Sequence, residues 1–285
     1  MLATVLLPIA LGIIMLGLGL SLKIDDFTRV LKYPKAVIIG LICQMLILPF
    51  VCFGIALGFG LKAELAVGLM LLAASPGGAT ANLYSHLSNG NVALNITLTA
   101  VNSVLAIFTL PLIVNLSLGY FMADNDTVLP MQFKKIIEVF AVVLLPVVIG
   151  MIINAKSPDF SKKAEKPFKI ISAIFLVVII ILAVLKDKDK ILEYFQQVGL
   201  AALVFNLASM AVGYFIPLLL KIGKKEAIAI GMEIGIHNGT LAIFIALNVL
   251  NNPAMSFPPA VYSLIMFFTA AAFGWWVSRK TVHEI

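Results

Sequence analysis

The sequence predicts an all-α polytopic membrane protein with nine transmembrane helices in an inverted repeat (4+5), two of them broken and crossing at the membrane midplane. Three observations predict it. Of 285 residues, 61% are hydrophobic and only 12% are charged, far from the make-up of soluble domains. The apolar residues gather into nine runs of about 20 residues, the length that crosses ~30 Å of hydrocarbon. Two of these runs are interrupted by glycine and polar residues, at Pro76-Gly77-Gly78 and at Glu233-Ile234-Gly235-Ile236-His237-Asn238. The net charge of +6 does not indicate nucleic acid, because the basic residues sit in short loops between apolar runs. Cys43 and Cys52 share one apolar segment and read as packing residues.

The spans fall at roughly 2–22, 35–60, 63–88, 91–120, 132–154, 168–187, 197–222, 225–251 and 255–279. The first lacks a positive leader and a small-residue cleavage site, so it is a helix and not a signal peptide. Its Gly12, Gly17 and Gly19 permit close helix contact. The second carries Gln44 ahead of Pro49, and the seventh matches it with Asn206 ahead of Pro217. The third breaks at Pro76-Gly77-Gly78, where proline removes a backbone donor and glycine lowers the cost of non-helical dihedrals. In the fourth, Asn95 and Thr99 stand four apart and share a face.

Lysines and arginines accumulate after the first, fifth, seventh and ninth spans. Asp124, Asp126 and the mixed run from Lys186 to Lys190 occupy the opposite loops. Lys134 and Lys135 read as interfacial residues snorkelling from the fifth span. The positive-inside rule then puts the N-terminus outside and the C-terminus in the cytoplasm of a multi-pass protein of the cell inner (plasma) membrane. Ala66–Met70 resembles Ala229–Glu233 at an offset of five spans, and an odd offset inverts the copies. The chain, 1–285, thus reads as one transporter domain, with a first repeat at about 1–120 and a second at about 132–280.

Glu233 is the single deep carboxylate. It costs at least ~2.5 kcal/mol near the bilayer centre unless an ion, a proton or a polar partner compensates it. No lysine or arginine lies at comparable depth. Asn82, Asn95 and Thr99 offer amide and hydroxyl oxygens for a hard monovalent cation such as Na+. His237 has three readings: a core histidine orienting Asn238, a proton acceptor, or a substrate contact. The first is favoured because imidazole is a poor ligand for alkali cations. His86 lies near a span end and reads as a local hydrogen-bonding residue.

Taken together, Pro76-Gly77-Gly78 with Thr80 and Asn82, then Gly90-Asn91-Val92-Ala93-Leu94, then Glu233–Asn238, with Gln44 before Pro49, resemble the bile acid:sodium symporter family. The resemblance implies a panel domain and a core domain, with two Na+ sites in the core. It implies one site from Asn82, Asn95, Thr99 and Glu233. A second would come from Gln44, Glu233 and carbonyls of Ile234 and Ile236, with His237 where the family has Gln. Ala81 stands where a Ser is usual, and Ala79-Thr80 where Thr-Ala is common. The family's members typically have ten helices, and this sequence reads as a nine-helix form.

The resulting expectation is a Na+-coupled importer of an organic anion, bile-acid-like or a smaller carboxylate, working by alternating access. Na+ is the coupling ion, and the lipid bilayer and the anion are the partners, with no obligate protein partner evident. The substrate is expected at Pro76, Gly77, Gly78, Ala79, Thr80, Asn238 and Gly239. The alternative is a proton-coupled or uncoupled carrier using Glu233 and His237. An intramembrane enzyme finds no support, since no paired deep aspartates, His-Glu-x-x-His or Gly-x-Ser-x-Gly occur.

Overall fold

Residues 2–78, 80–123, 133–164 and 188–282, with positions 167, 168, 170, 171, 174 and 178, are described by a computed structural model. Ala79, Asp124, Asp126 and most of the expected sixth span lie outside the described residues.

The helices are α1 (Leu2–Ser21), α2 (Ile24–Thr28), α3 (Pro34–Gly58), α4 (Ala63–Ala74), α5 (Ala81–Leu87) and α6 (Val92–Phe121). They continue with α7 (Phe133–Lys156), α8 (Lys188–Leu219), α9 (Lys224–Gly235), α10 (Gly239–Val249) and α11 (Phe257–Val282). Among the described residues, four stretches are long and apolar enough to cross a membrane: Pro34–Gly58, Val92–Phe121, Phe195–Leu219 and Ala254–Arg279.

Local chemistry sets the boundaries. Pro34 opens α3 at a position where its missing N–H costs nothing. Asn91 caps α6, its side chain accepting from Leu94 N at 3.0 Å. The expected third span divides into α4 and α5, and the expected eighth into α9 and α10. α3 and α10 each contain one widened turn, at Cys43–Ile47 and Ile245–Val249.

Two expectations are corrected. α8 begins at Lys188, so Lys188, Asp189 and Lys190 form its first turn and not a loop. The added turns carry helix-favouring Glu193, Gln196 and Gln197, and the helix extends past its apolar stretch. The loop after the first span folds into the short α2, where buried Asp26 accepts from Lys23 N at 2.7 Å and pairs with Arg29 at 2.6 Å.

Lipid is as apolar as leucine, so helix packing in a membrane rests on close approach and interhelical hydrogen bonds. α1 lies along α7 on such contacts. A Cβ at Gly19 would meet the backbone of Val147, and one at Gly150 the backbone of Leu16 and Gly19. Asn154 adds a bond to Leu22 O at 2.9 Å. The remaining helices form a second group, in which α8 packs on α9 and α11, α4 on α6, and α5 on both α6 and α9. Helix ends are tied together within this group: Lys35 Nζ donates to Leu220 O at 2.8 Å, Asn91 N to Lys225 O at 2.8 Å, and Lys62 pairs with Glu193 at 2.6 Å. These ties join ends that alternation of the spans assigns to the same side.

Candidate functional site: the crossing of two broken helices

The two breaks meet. Residues 75–80 separate α4 from α5 and residues 236–238 separate α9 from α10, and the two irregular segments pair as an isolated antiparallel bridge between Gly77 and His237. Gly78 N donates to Ile236 O at 2.6 Å, and Asn238 N to Pro76 O at 2.9 Å. Backbone released from helical bonding is thus satisfied by the opposite break, which non-helical backbone inside a membrane protein requires.

Glu233, fully buried, lies one turn before this bridge with its carboxylate against Gly77, where any Cβ would overlap it. Any larger residue there would displace the Glu233 carboxylate. Thr99 Oγ1 donates to Glu233 Oε2 at 2.6 Å, while Oε1 has no hydrogen-bond partner. Asn95, one turn before Thr99, donates through Nδ2 to Ala229 O at 2.7 Å and leaves Oδ1 buried and unpartnered. Asn82 sits in the first turn of α5, also with a buried, unpartnered Oδ1. Thr99 and Glu233 are therefore in direct contact, and Asn95 and Asn82 contribute free acceptor oxygens from the helices packed around Glu233.

Gln44 reaches the end of α4, where its Nε2 donates to Ser75 O at 3.0 Å and Ala73 O at 3.3 Å. Its Oε1 is buried and unpartnered. The Ile236 carbonyl is taken by Gly78 N, which removes one of its lone pairs from a ligand set. Ile234 packs its side chain against Gly213 of α8.

His237 turns to α11. Nδ1 is 3.0 Å from Tyr262 Oη, and the Tyr262 hydroxyl donates to Gly235 O at 2.9 Å. A phenol has one proton to give, so Nδ1 must be the donor in the first contact. That assigns the Nδ1–H tautomer and leaves Nε2 as a lone pair, buried and unpartnered. The histidine therefore does not touch Asn238 side chain to side chain. Asn238 instead caps α10, accepting from Leu241 N at 3.1 Å.

Of the residues expected at the substrate, Pro76 and Asn238 border one narrow cleft. It runs between the crossing, α6 at Ser103 and Pro111, and the α1–α7 pair at Met15 and Val143. Gly77 and Gly78 form the bridge beneath it, Thr80 is half-buried at the start of α5, and Gly239 opens α10 against Ser263.

Sequence reasoning missed Asn102 and Tyr262. Asn102 continues the face of Asn95 and Thr99 at a spacing of seven and three, a readable signal. Tyr262 had no signal, because its role depends on two partners distant in sequence.

A polytopic, almost wholly helical chain whose broken helices cross at a buried carboxylate has the architecture of secondary transporters. The chain belongs to the Sodium Bile acid symporter family, whose model matches residues 8–194. It is similar to the uncharacterized sodium-dependent transporter YocS of Bacillus subtilis, 44% identical over 39% of this chain and 34% of that protein. It is also similar to the probable sodium/metabolite cotransporter BASS2, chloroplastic, of Oryza sativa subsp. japonica, 28% identical over 98% of this chain and 65% of the rice protein. The human sodium-dependent organic anion transporter is 27% identical over 45% of this chain and 34% of its own length. The matched stretches thus span less than two thirds of these relatives, and the rice match, over 98% of this chain, takes in both breaks. These relatives bear the names of transporters and not of enzymes.

Proposed function

We propose that the chain is a secondary active carrier that imports an organic anion together with Na+. One observation carries the reading. A buried carboxylate at the crossing has no basic partner among the described residues, while acceptor oxygens in and around it are unpartnered, among them Glu233 Oε1, Asn95 Oδ1, Asn82 Oδ1 and Gln44 Oε1. Orphaned acceptors next to a buried anion call for a cation, and an all-oxygen donor set suits a hard one. Asn82, Asn95, Thr99 and Glu233 would hold one Na+. Gln44 Oε1, Glu233 and the carbonyl of Ile234 would hold a second.

Cation binding neutralises Glu233 and, with two ions, leaves the crossing net positive. A carboxylate in the adjoining cleft, at Pro76 and Asn238, is then attracted by charge and by the start of α10. The α1–α7 pair is the panel in this reading, and the helices around the crossing are the core. Gln44 on the end of α4 and Asn206 on the end of α9, which donates to Gly235 O at 2.9 Å, support an inverted repeat. Rocking of core against panel would expose the cleft to each side in turn, with the lysine-rich loops cytoplasmic. The names of the relatives support Na+ coupling and an organic-anion or metabolite substrate.

Uptake of labelled carboxylates into proteoliposomes, with inward Na+, K+ or proton gradients across a pH series, tests this. Na+-driven uptake is expected. Acid-driven uptake indifferent to Na+ replaces it with the second reading, a proton-coupled carrier, which the free Nε2 lone pair of His237 favours.

A further inference from the structure

We propose that Asn102 is a further cation-handling residue, passing Na+ between Gln44 and Glu233; this rests on the Na+ reading above. Asn102 lies in α6, one turn beyond Thr99, and is 1% exposed. Its side chain is beside the Glu233 carboxylate, yet neither Nδ2 nor Oδ1 has a hydrogen bond of good geometry. Leaving both ends of a buried amide unsatisfied is costly. A residue there for packing alone would be apolar. Asn102 also lines a gap, too tight for a water molecule as the helices stand, with Gln44, Ala74, Pro76 and Ala106. Gln44 Oε1 is without a hydrogen-bond partner as well, so two unpartnered amide oxygens line this gap.

The amide suits a transfer point because its two ends have opposite chemistry. Oδ1 ligates a cation beside Gln44 Oε1. Nδ2 donates to Glu233 when the cation has left, so the buried carboxylate is never without a favourable contact. The gap shares Pro76 and Ala106 with the cleft proposed for the substrate, which puts Asn102 where an ion would move between cleft and carboxylate.

The test uses purified full-length protein and two readouts, Na+-dependent thermal stabilisation and the Na+ dependence of uptake, each with K+ as the control. Asn102→Leu, which keeps the volume and removes both ends of the amide, is expected to raise the Na+ concentration for half-maximal stabilisation at least about tenfold and to lower the Hill coefficient of uptake toward one. Asn102→Gln, which keeps both ends of the amide, is expected to stay within about threefold of wild type. Asn102→Ala carries the same test if the leucine variant does not fold. A normal Na+ response in wild type with half-saturation and Hill coefficient unchanged in the Leu or Ala variant overturns the proposal for Asn102 alone. No Na+ response in wild type overturns the Na+ reading and this proposal with it.

Discussion

The two breaks reach the same geometry by different means. The first, at Ser75–Thr80, is made by its own sequence: Pro76 cannot donate to the preceding turn, and Gly77 admits the Glu233 carboxylate where a side chain would collide. The second, at Ile236–Asn238, lacks a proline and has glycine only at its flanks, Gly235 and Gly239. Its helix end is held by tertiary partners, since Asn206 and Tyr262 both donate to Gly235 O at 2.9 Å. One break is intrinsic and the other imposed. The intrinsic break carries the space for the site and the imposed break carries the charge.

That contrast orders the expected effects. Glu233→Gln should be the most severe, weakening Na+ binding by about 100-fold or more, ~3 kcal/mol, as loss of one member of a buried charge pair does. Its Na+-free melting temperature should equal or exceed wild type, because an uncompensated buried carboxylate has been removed; equal Na+ stabilisation of both proteins would remove Glu233 from the ligand set. Gly77→Ala comes next, costing ~2 kcal/mol of stability from forced overlap and most of the uptake. Gly54→Ala in α3, where a Cβ meets nothing within 4 Å, is its neutral control in the same melting assay.

Thr99→Val removes the donor to Glu233 and should raise the half-saturating Na+ concentration about tenfold, ~1.5 kcal/mol for a hydrogen bond to a charged group. At the imposed break, Asn206→Ala should cost about 1 kcal/mol, because Gly235 O keeps the other donor, and Tyr262→Phe about 1–3 kcal/mol, because it also strands the buried His237 Nδ1–H, while the double variant should cost more than their sum in denaturation. An additive double variant would mean that the second break stands without them. His237→Gln should have the smallest effect, a rise in Na+ affinity of a few-fold, as a rotatable amide oxygen replaces an imidazole tied to Tyr262.

The intrinsic break was legible in the sequence for the same reason that it is intrinsic. Pro76-Gly77-Gly78 announces released backbone, and Glu233 announces a compensated charge, without knowledge of neighbours. The long apolar helices among the described residues followed from apolar length, apart from the start of α8, where a helix extends past its hydrophobic stretch, and the short α2, which carries too few apolar residues to signal a span. Partner choice was less legible. Gln44 bonds Ala73 and Ser75, and His237 turns away from Asn238 to Tyr262. Such choices depend on which side chains α3, α8 and α11 bring alongside, and no local pattern encodes that. Asn102 was readable from its spacing, but an asparagine in a membrane helix more often serves as interhelical glue.

The bridge between Gly77 and His237 works as a rivet. It joins two polypeptide segments through main-chain groups only, so side chains around it can vary between relatives without loosening the joint. It also stiffens the joint, because two backbone hydrogen bonds tie the half-helices on either side of it. On the proposed reading, an ion at Glu233 would move four half-helices as a single part.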